Sequence, residues 1–267
     1  MNPIFGGAAA AYALGTAVAC ALGWLNLRHA RRHGLERHRS IEGRITPETL
    51  LRMRDYTLAS GRLSLARRVF TDLFALAVVA CGVLGTIDHA LGAGGPIIRG
   101  VAFVVACAAL ISAAHVPFDL ANTFGVERAF GFSTTTTARW ARDLCIRATV
   151  SGAVLVVSSA ILLALVSAMP GAWWVPAWAL FVCLQTVLVW AYPRYVAPLF
   201  NRFEPAGSTD LKESVAGLLA KAGFTLDGLF VMVASSRSTH TNAYLTGFGR
   251  TRRIVLFDTL VAGHPRR

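Results

Sequence analysis

Charged residues are scarce in this sequence, and acidic residues are the scarcest of them. Only 15% of the 267 residues are charged, whereas an average soluble domain carries about 25%. Fourteen acidic residues stand against 26 basic ones, and only two of the basic residues are lysines. The five cysteines include no C-x-x-C pair, which argues against a disulfide framework and a zinc knuckle. The sequence also contains no H-E dipeptide. These absences exclude a disordered chain and an ordinary soluble domain.

Long apolar runs are what the sequence has instead, since 55% of its residues are hydrophobic. No charged residue precedes Arg28, and further apolar runs cover about Leu73–Leu91 and Ile98–Phe118. Between Arg147 and Arg194 lie 46 uncharged residues, enough for two spans of about 20 residues each. The sequence therefore predicts an all-α multi-span membrane bundle with five transmembrane helices.

The distribution of basic residues predicts the orientation of this bundle. Segment 28–72 holds 11 Lys and Arg residues, segment 117–147 holds 4, and the part from residue 194 onward holds 10, which leaves only Arg99 for the alternate segments. By the positive-inside rule, these three segments are cytoplasmic and the N-terminus lies outside the cell membrane. Anionic membrane lipids then account for the net charge of +12, so nucleic acid is excluded as a partner.

The last third of the chain predicts a small α+β cytoplasmic segment. Ser208–Ala222 has the apolar spacing of an amphipathic helix, and Leu229–Ala234 has the pattern of a strand. Thr241–Phe248 and Arg253–Thr259 predict a hairpin joined across Gly249–Arg252.

Three stretches of the sequence carry specific motifs. The most specific runs from Ser235 to Gly249 (S-S-R-S-T-H-T-N-A-Y-L-T-G-F-G) and continues at Arg253–Leu260 (R-I-V-L-F-D-T-L). The second is Tyr195–Phe203, and a third, weaker one runs from Pro117 to Asp143. In these stretches the sequence resembles the CAAX prenyl protease 1 family, whose members are membrane-embedded zinc metalloendopeptidases. The resemblance covers nearly the whole chain and implies cleavage of peptide bonds near the membrane, as in CAAX processing.

The resemblance also implies a zinc site that this sequence does not contain. Family members carry an H-E-x-x-H helix shortly after the D-T-L strand, in which two His bind zinc and the Glu activates water. We therefore expect residues 1–200 to form the membrane region, with cytoplasmic loops 28–72 and 117–147, and residues 201–267 to form the start of a truncated peptidase domain. Zn²⁺ is expected for the full-length family member, but this chain offers no catalytic residue and no metal ligand and is expected to be inactive. The alternative is a non-catalytic membrane protein that binds peptides or acts as a scaffold.

The best site residues in the chain are Asn242, Ala243 and Tyr244, as substrate-binding residues. An exposed edge strand can pair with an extended peptide or protein substrate, and the resembled family places this strand beside its cleft. The alternative is a strand whose side chains only pack on a neighbour, and we expect His240 to form hydrogen bonds beside it.

Other polar side chains remain open between a functional and a structural role. His115, Asp119 and Asn122 end the third span, where they are either functional or merely interfacial. His29 and His33 have metal-ligand spacing, but the arginines between them favour a basic cap at the membrane surface. For Arg237, Arg252 and Arg253, contact with solvent or lipid headgroups is favoured over capture of a C-terminal carboxylate.

Overall fold

The computed structural model describes residues 3–34, 45–92, 94–207, 228–246 and 253–263, and the single positions 212, 213, 215 and 217. It divides the chain into two compact units, Met1–Phe130 and Gly131–Arg267.

The first unit consists of helices. Thr46 begins the second of them, because its side-chain oxygen accepts a hydrogen bond from the Thr49 amide at 3.2 Å. The first two helices approach closely, since a Cβ added to Gly61 would lie 2.5 Å from the Leu27 side chain. The elements are α1 (Pro3–His33), α2 (Pro47–Ala80), α3 (Val83–Ala90), α4 (Pro96–Leu120), a π-helical segment (Ala121–Val126) and α5 (Glu127–Ala129).

The second predicted span differs from its prediction. Helix α2 begins at Pro47, well before Leu73, and bends by 63° against α3. The break falls at Gly82, whose φ of 71° lies in the left-handed region that ends helices. The apolar pattern of Leu73–Leu91 does not reveal this bend, because the residues on both sides of it are apolar.

The second unit begins with membrane-length helices. Thr136 caps α6 by accepting a hydrogen bond from the Arg139 amide at 3.3 Å. Exposed tryptophans lie in the turn between α6 and α7 and at the start of α7, where Trp178 is 69% exposed. The elements are α6 (Thr137–Ala168), α7 (Trp174–Ala191), a π-helical segment (Tyr192–Val196) and α8 (Ala197–Phe200).

The described residues contain four helices long and apolar enough to cross a membrane, or five if the bent pair α2–α3 counts as one span. The predicted membrane bundle is therefore confirmed.

Within the described residues, a four-stranded mixed sheet follows the last span. Its strands are β1 (Phe203–Pro205), β2 (Gly228–Met232), β3 (Ala243–Thr246) and β4 (Arg253–Phe257), followed by helix α9 (Asp258–Gly263). The order is β1-β2-β4-β3, with β2 parallel to β4 and the other pairs antiparallel. Met232, Ala234 and Val255 form the core of this sheet. The predicted pairing of the last two strands is confirmed.

The rest of the predicted α+β segment is only partly described. Of the helix predicted over Ser208–Ala222, the described positions 212, 213, 215 and 217 are helical. The connection predicted over Gly249–Arg252 lies outside the described residues.

The chain divides into compact units at residue 130, which leaves the division expected at residue 200 between membrane region and peptidase domain as a prediction. Residues 131–136, together with the start of α6, are joined to the sheet segment by hydrogen bonds and an ion pair. Composition places a boundary where hydropathy falls, whereas compactness follows these long-range polar contacts.

Candidate functional site

Two short segments, one before α6 and one before β3, bind each other. We name residues 131–136 the threonine loop and residues 234–240 the arginine turn. The Thr134 amide donates to the Arg237 carbonyl at 3.0 Å, and the Thr239 amide donates to the Phe132 carbonyl at 2.9 Å. Ser133 and Ser238 form an antiparallel bridge between them. The backbone of the arginine turn is therefore held by the loop that precedes α6.

Arg237 lies at the centre of a polar cluster that fixes the arginine turn. Its Nε and Nη2 donate to the two Asp143 carboxylate oxygens at 2.9 and 3.0 Å, and its Nη1 donates to Asn201 Oδ1 at 3.2 Å. The Arg237 and Asp143 side chains are only 22% and 15% exposed. The two-pronged geometry makes this a strong charge-assisted contact.

This cluster corrects the expectation for Arg237, whose guanidinium group is bound by Asp143 and Asn201 and is mostly buried. The expectation was wrong because its carboxylate partner lies 94 positions away in the sequence. Asp143, Asn201 and Arg237 come from the three separate stretches that carry the family resemblance, so the structure brings the three together at one place.

Asp258 holds the other end of the arginine turn. Its Oδ1 accepts hydrogen bonds from the Ala234 and Ser235 amides at 3.0 Å and from the Thr259 amide at 2.8 Å, and Oδ2 accepts from the Ser235 hydroxyl. Partial burial opposes ionisation of this carboxyl group, but the hydrogen bonds outweigh it and hold the pKa of Asp258 below its usual range. Sequence analysis missed this role, although Asp side chains commonly accept hydrogen bonds from backbone amides at the start of a helix.

His240 is packed where the arginine turn leads into β3. Its ring stacks on Phe132 with centroids 4.2 Å apart. Its backbone carbonyl accepts a hydrogen bond from the Thr259 hydroxyl at 2.8 Å, and its amide donates to the Ser238 hydroxyl at 3.1 Å. These contacts give the residue before Thr241 a defined position.

Strand β3 is an edge strand among the strands that the structure describes, with β4 as its one neighbour. The Asn242 carbonyl accepts from the Phe257 amide at 3.0 Å. Because backbone groups alternate in an antiparallel pair, Ala243 and Leu245 direct their amides and carbonyls away from β4. The Asn242 side-chain oxygen lies 2.8 Å from the outward Ala243 amide and accepts its hydrogen bond.

Tyr244 points into the sheet core. Its ring meets Phe257 edge-on with centroids 6.3 Å apart, and its hydroxyl donates to Met232 Sδ at 3.9 Å. Burial, assisted by the nearby Tyr192, raises the pKa of Tyr244 above its usual value. The Tyr244 side chain therefore packs on its neighbours, as the alternative interpretation of this strand expects, whereas Ala243 and Leu245 are exposed.

The polar residues that end the third span connect helices of the first unit. His115 Nε2 lies 3.0 Å from the Thr71 hydroxyl, and Asp119 accepts from Arg67 at 2.9 Å. Asn122 lies in the π-helical segment that follows α4. The contacts of His115 and Asp119 make them interhelical partners of α2.

The residues described here do not fit a zinc ion. Across these parts of the chain, no group of three or more His, Cys, Asp or Glu side chains is arranged to hold a metal. The His29 and His33 rings stack on each other with centroids 4.6 Å apart. No catalytic step can therefore be assigned to a metal held by these side chains.

Membrane-length helices followed by a small mixed sheet define a multi-pass membrane protein. Residues 26–202 match the family model described as CAAX prenyl protease N-terminal, five membrane helices, and residues 205–265 match the model of peptidase family M48. The chain therefore belongs to the CAAX prenyl protease 1 family of membrane metallopeptidases, as the sequence predicts.

Individual relatives agree with this assignment. The human CAAX prenyl protease 1 homolog is 31% identical over 77% of this chain and 42% of its own length. The Saccharomyces cerevisiae CAAX prenyl protease 1 is 30% identical over 83% of this chain and 52% of its own length. The crystal structure of S. mikatae Ste24p matches 95% of this chain and 60% of its own, with a TM-score of 0.86 at 24% identity, and so shares the fold. The chain thus spans about half the length of these curated relatives.

Proposed function

We propose that the chain supplies the membrane region and the first part of the peptidase domain of a membrane-embedded zinc metalloendopeptidase that cleaves peptide bonds near the membrane. The human and yeast relatives support this proposal, because both are named as CAAX prenyl proteases. Since the sequence contains no H-E-x-x-H motif, the 267 residues by themselves do not hydrolyse peptides. Their task is to hold an extended substrate along the strand that contains Asn242, Ala243 and Tyr244.

The observation that carries this proposal is the outward-facing edge of β3. Ala243 and Leu245 direct backbone groups away from β4, and the Leu245 side chain is 49% exposed. An extended peptide can add to such an edge by main-chain hydrogen bonds. The peptide would replace the Asn242 side chain as acceptor for the Ala243 amide, so Asn242 satisfies this donor until substrate arrives.

A photo-crosslinking experiment tests the substrate strand. The probe is a biotin-labelled nine-residue peptide of alternating valine and threonine with a central diazirine-bearing leucine, added to the purified chain in lipid nanodiscs. We expect crosslinks at residues 242–246, mapped by mass spectrometry. Leu245→Pro should abolish them, because it removes an outward amide and leaves the hydrogen bonds to β4 in place.

Leu245→Val is the matched control, because it keeps the amide and an apolar side chain. Undiminished crosslinking of Leu245→Pro, or crosslinks confined to other parts of the chain, would show that β3 is not the peptide-binding strand.

The alternative function, a non-catalytic peptide-binding or scaffold protein, predicts the same crosslinks. The two functions differ in whether the gene encodes an H-E-x-x-H motif. Genomic DNA read beyond codon 267 separates the two. An in-frame H-E-x-x-H motif supports the peptidase, whereas its absence from the full reading frame supports the alternative.

We also propose that the protein lies in the cell membrane with its N-terminus outside and its sheet in the cytoplasm, supported by the arginine distribution. In a cysteine-free background, an impermeant maleimide added outside cells should label Gly94→Cys and Gly171→Cys but not Gly207→Cys. A Cβ at any of the three positions meets no atom within 4 Å, so the substitutions are sterically matched. Labelling of Gly207→Cys from outside would reverse the orientation.

A further inference from the structure

An open groove of about 700 Å³ lies between α1 and α2, within the first unit. Two glycines let the helices approach each other beside it. A Cβ added to Gly23 would lie 3.1 Å from Leu65 Cδ1, and one added to Gly61 would lie 2.5 Å from Leu27 Cδ2. Because the contact positions rise along α1 as they fall along α2, the two helices run antiparallel and place the end of α1 beside the first half of α2.

One face of α1 supplies most of the groove wall. This face carries apolar side chains first and basic ones after them, in the i, i+3, i+4, i+7, i+8 spacing of a single helix face. Its residues are Trp24, Leu27, Arg28, Arg31 and Arg32. The groove therefore changes from apolar to basic along α1, toward the end of the first span.

Helix α2 adds a fourth arginine to the groove. Arg62 lies one turn after Leu58 and about one turn before Leu65, so these three side chains share a face of α2. Arg62 directly follows Gly61, which faces Leu27, the last apolar residue of the α1 face. Arg62 therefore lies at the level where the α1 face becomes basic.

The groove is positively charged. Its four arginines are exposed, and the ion pairs that the structure describes in the first unit are formed by other arginines. The connection between α1 and α2 contains two acidic residues, Glu36 and Glu42. Even if both carboxylates lay at the groove, the four guanidinium groups would leave an excess of positive charge. The sign of the charge therefore does not depend on the course of that connection.

Trp24 indicates the depth of the groove in the membrane. Its side chain is 53% exposed, and the Arg28 guanidinium carbon lies 5.3 Å from its ring centroid. Exposed tryptophans near the end of a span are typical of the headgroup level of a bilayer. Toward the interior of the span, α1 exposes Leu22, Val18 and Leu14. The groove thus offers guanidinium donors at the headgroup level and an apolar helix surface next to them.

We propose that this groove binds an anionic membrane phospholipid. The phosphate lies among the four arginines, the glycerol region lies against Trp24, and the acyl chains continue along the exposed apolar surface of α1. Arginine suits this role because its planar fork matches phosphate oxygens, and basic pockets between membrane helices recognise anionic headgroups. The site differs from a basic cap at the membrane surface because two helices supply donors to one headgroup. It uses no residue of β3, so it does not depend on the proposed peptidase function.

The test measures lipid bound to the purified full chain by native mass spectrometry, while detergent micelles are titrated with phosphatidylglycerol. We expect one tightly bound phosphatidylglycerol per chain and markedly weaker binding of phosphatidylcholine, which has no net charge. Arg31→Gln and Arg62→Gln, one from each helix, should each weaken the phosphatidylglycerol affinity about fivefold. The double variant should weaken it about 25-fold if the two donors act independently. Glutamine preserves helix propensity at these exposed positions, so the variants should fold.

Arg147→Gln and Arg202→Gln are the matched controls, because each removes one exposed arginine near another span. Arg147 lies on α6, and Arg202 is 81% exposed and pairs with Glu204 at 3.2 Å. Both controls should leave the affinity unchanged. Losses in the controls as large as those in the groove variants, or an unchanged affinity in Arg31→Gln or Arg62→Gln, would overturn the proposal.

Two further arms separate the lipid from other occupants of the groove. An excess of inorganic phosphate should not displace phosphatidylglycerol, because it lacks the glycerol and acyl contacts, and full displacement would assign the groove to a soluble phosphate. The lipid should remain bound to the monomeric chain. Lipid binding confined to a dimer would assign the groove to an interface between two copies, and either result overturns the lipid site.

Discussion

The ion pair between Arg237 and Asp143 offers the sharpest test of how the candidate site is held together. Removal of one partner from a buried pair costs about 3–5 kcal/mol because the other charge is left without a partner. The two side chains keep 22% and 15% of their exposure, so water recovers part of this loss and we expect about 2–3 kcal/mol for Asp143→Asn or Arg237→Gln. For a unit of this size that is a fall in Tm of about 5–10 °C.

The assay is thermal unfolding of the purified chain in detergent, followed by tryptophan fluorescence, for both single variants and the double variant. The double variant should lose about 1–2 kcal/mol less than the sum of the singles, because each single substitution removes the same contact. Arg202→Gln breaks an exposed pair and should cost less than about 1 kcal/mol. If the losses of the two single variants add up in the double variant, or if the single variants are no less stable than Arg202→Gln, the ion pair does not hold the arginine turn in place.

Three further predictions concern other parts of the chain. Arg99 donates to the two Asp88 carboxylate oxygens at 3.0 and 2.7 Å and joins α3 to α4; because both side chains are partly exposed, Arg99→Gln should cost only about 0.5–1 kcal/mol in the same assay, and a loss above that range would contradict this estimate. Asp258→Asn should lower stability at pH 7 by about 1–2 kcal/mol. The folded pKa of Asp258 lies below its unfolded value of about 3.9, so its contribution to stability is complete above that value and is lost as pH falls through the folded pKa. Between pH 5 and pH 3 the Tm of Asp258→Asn should therefore fall less than the Tm of the unaltered chain. The same pH profile of Tm in both proteins would disprove this role. Metal analysis of the purified 267-residue chain should find no stoichiometric zinc, and tightly bound zinc at one per chain would contradict the ligand analysis.

The membrane bundle could be predicted from sequence because its signal is local. Apolar runs of span length and the clustering of arginine need no knowledge of contacts. The bend at Gly82 escaped prediction because a single glycine in an apolar run is compatible with a straight helix or a break. The continuation of α2 back to Pro47 escaped because a helix that leaves the bilayer no longer has an apolar signature.

The sheet was predictable in part for the same reason. The β3–β4 pair lies close in sequence and follows the period-two pattern of strands, whereas β1 has only three residues and pairs with β2 at long range. A strand of that length, Phe203–Pro205, carries too little periodicity to be recognised, and its proline is tolerated only because β1 lies at the edge of the sheet order.

The candidate site shows the limit of motif-based inference most clearly. A motif string names Arg237 but not its partners, because Asp143 and Asn201 lie on other elements and nothing in their spacing links them. The structure supplies the reason for the distance between them. Asp143 belongs to the start of α6 and Asn201 follows α8, so the ends of two membrane helices fix the arginine turn, and the turn in turn fixes the start of β3. A strand held in this way keeps a constant position relative to those helix ends, and this constancy is what an enzyme needs if a substrate peptide emerging at the membrane is to meet the same backbone edge each time.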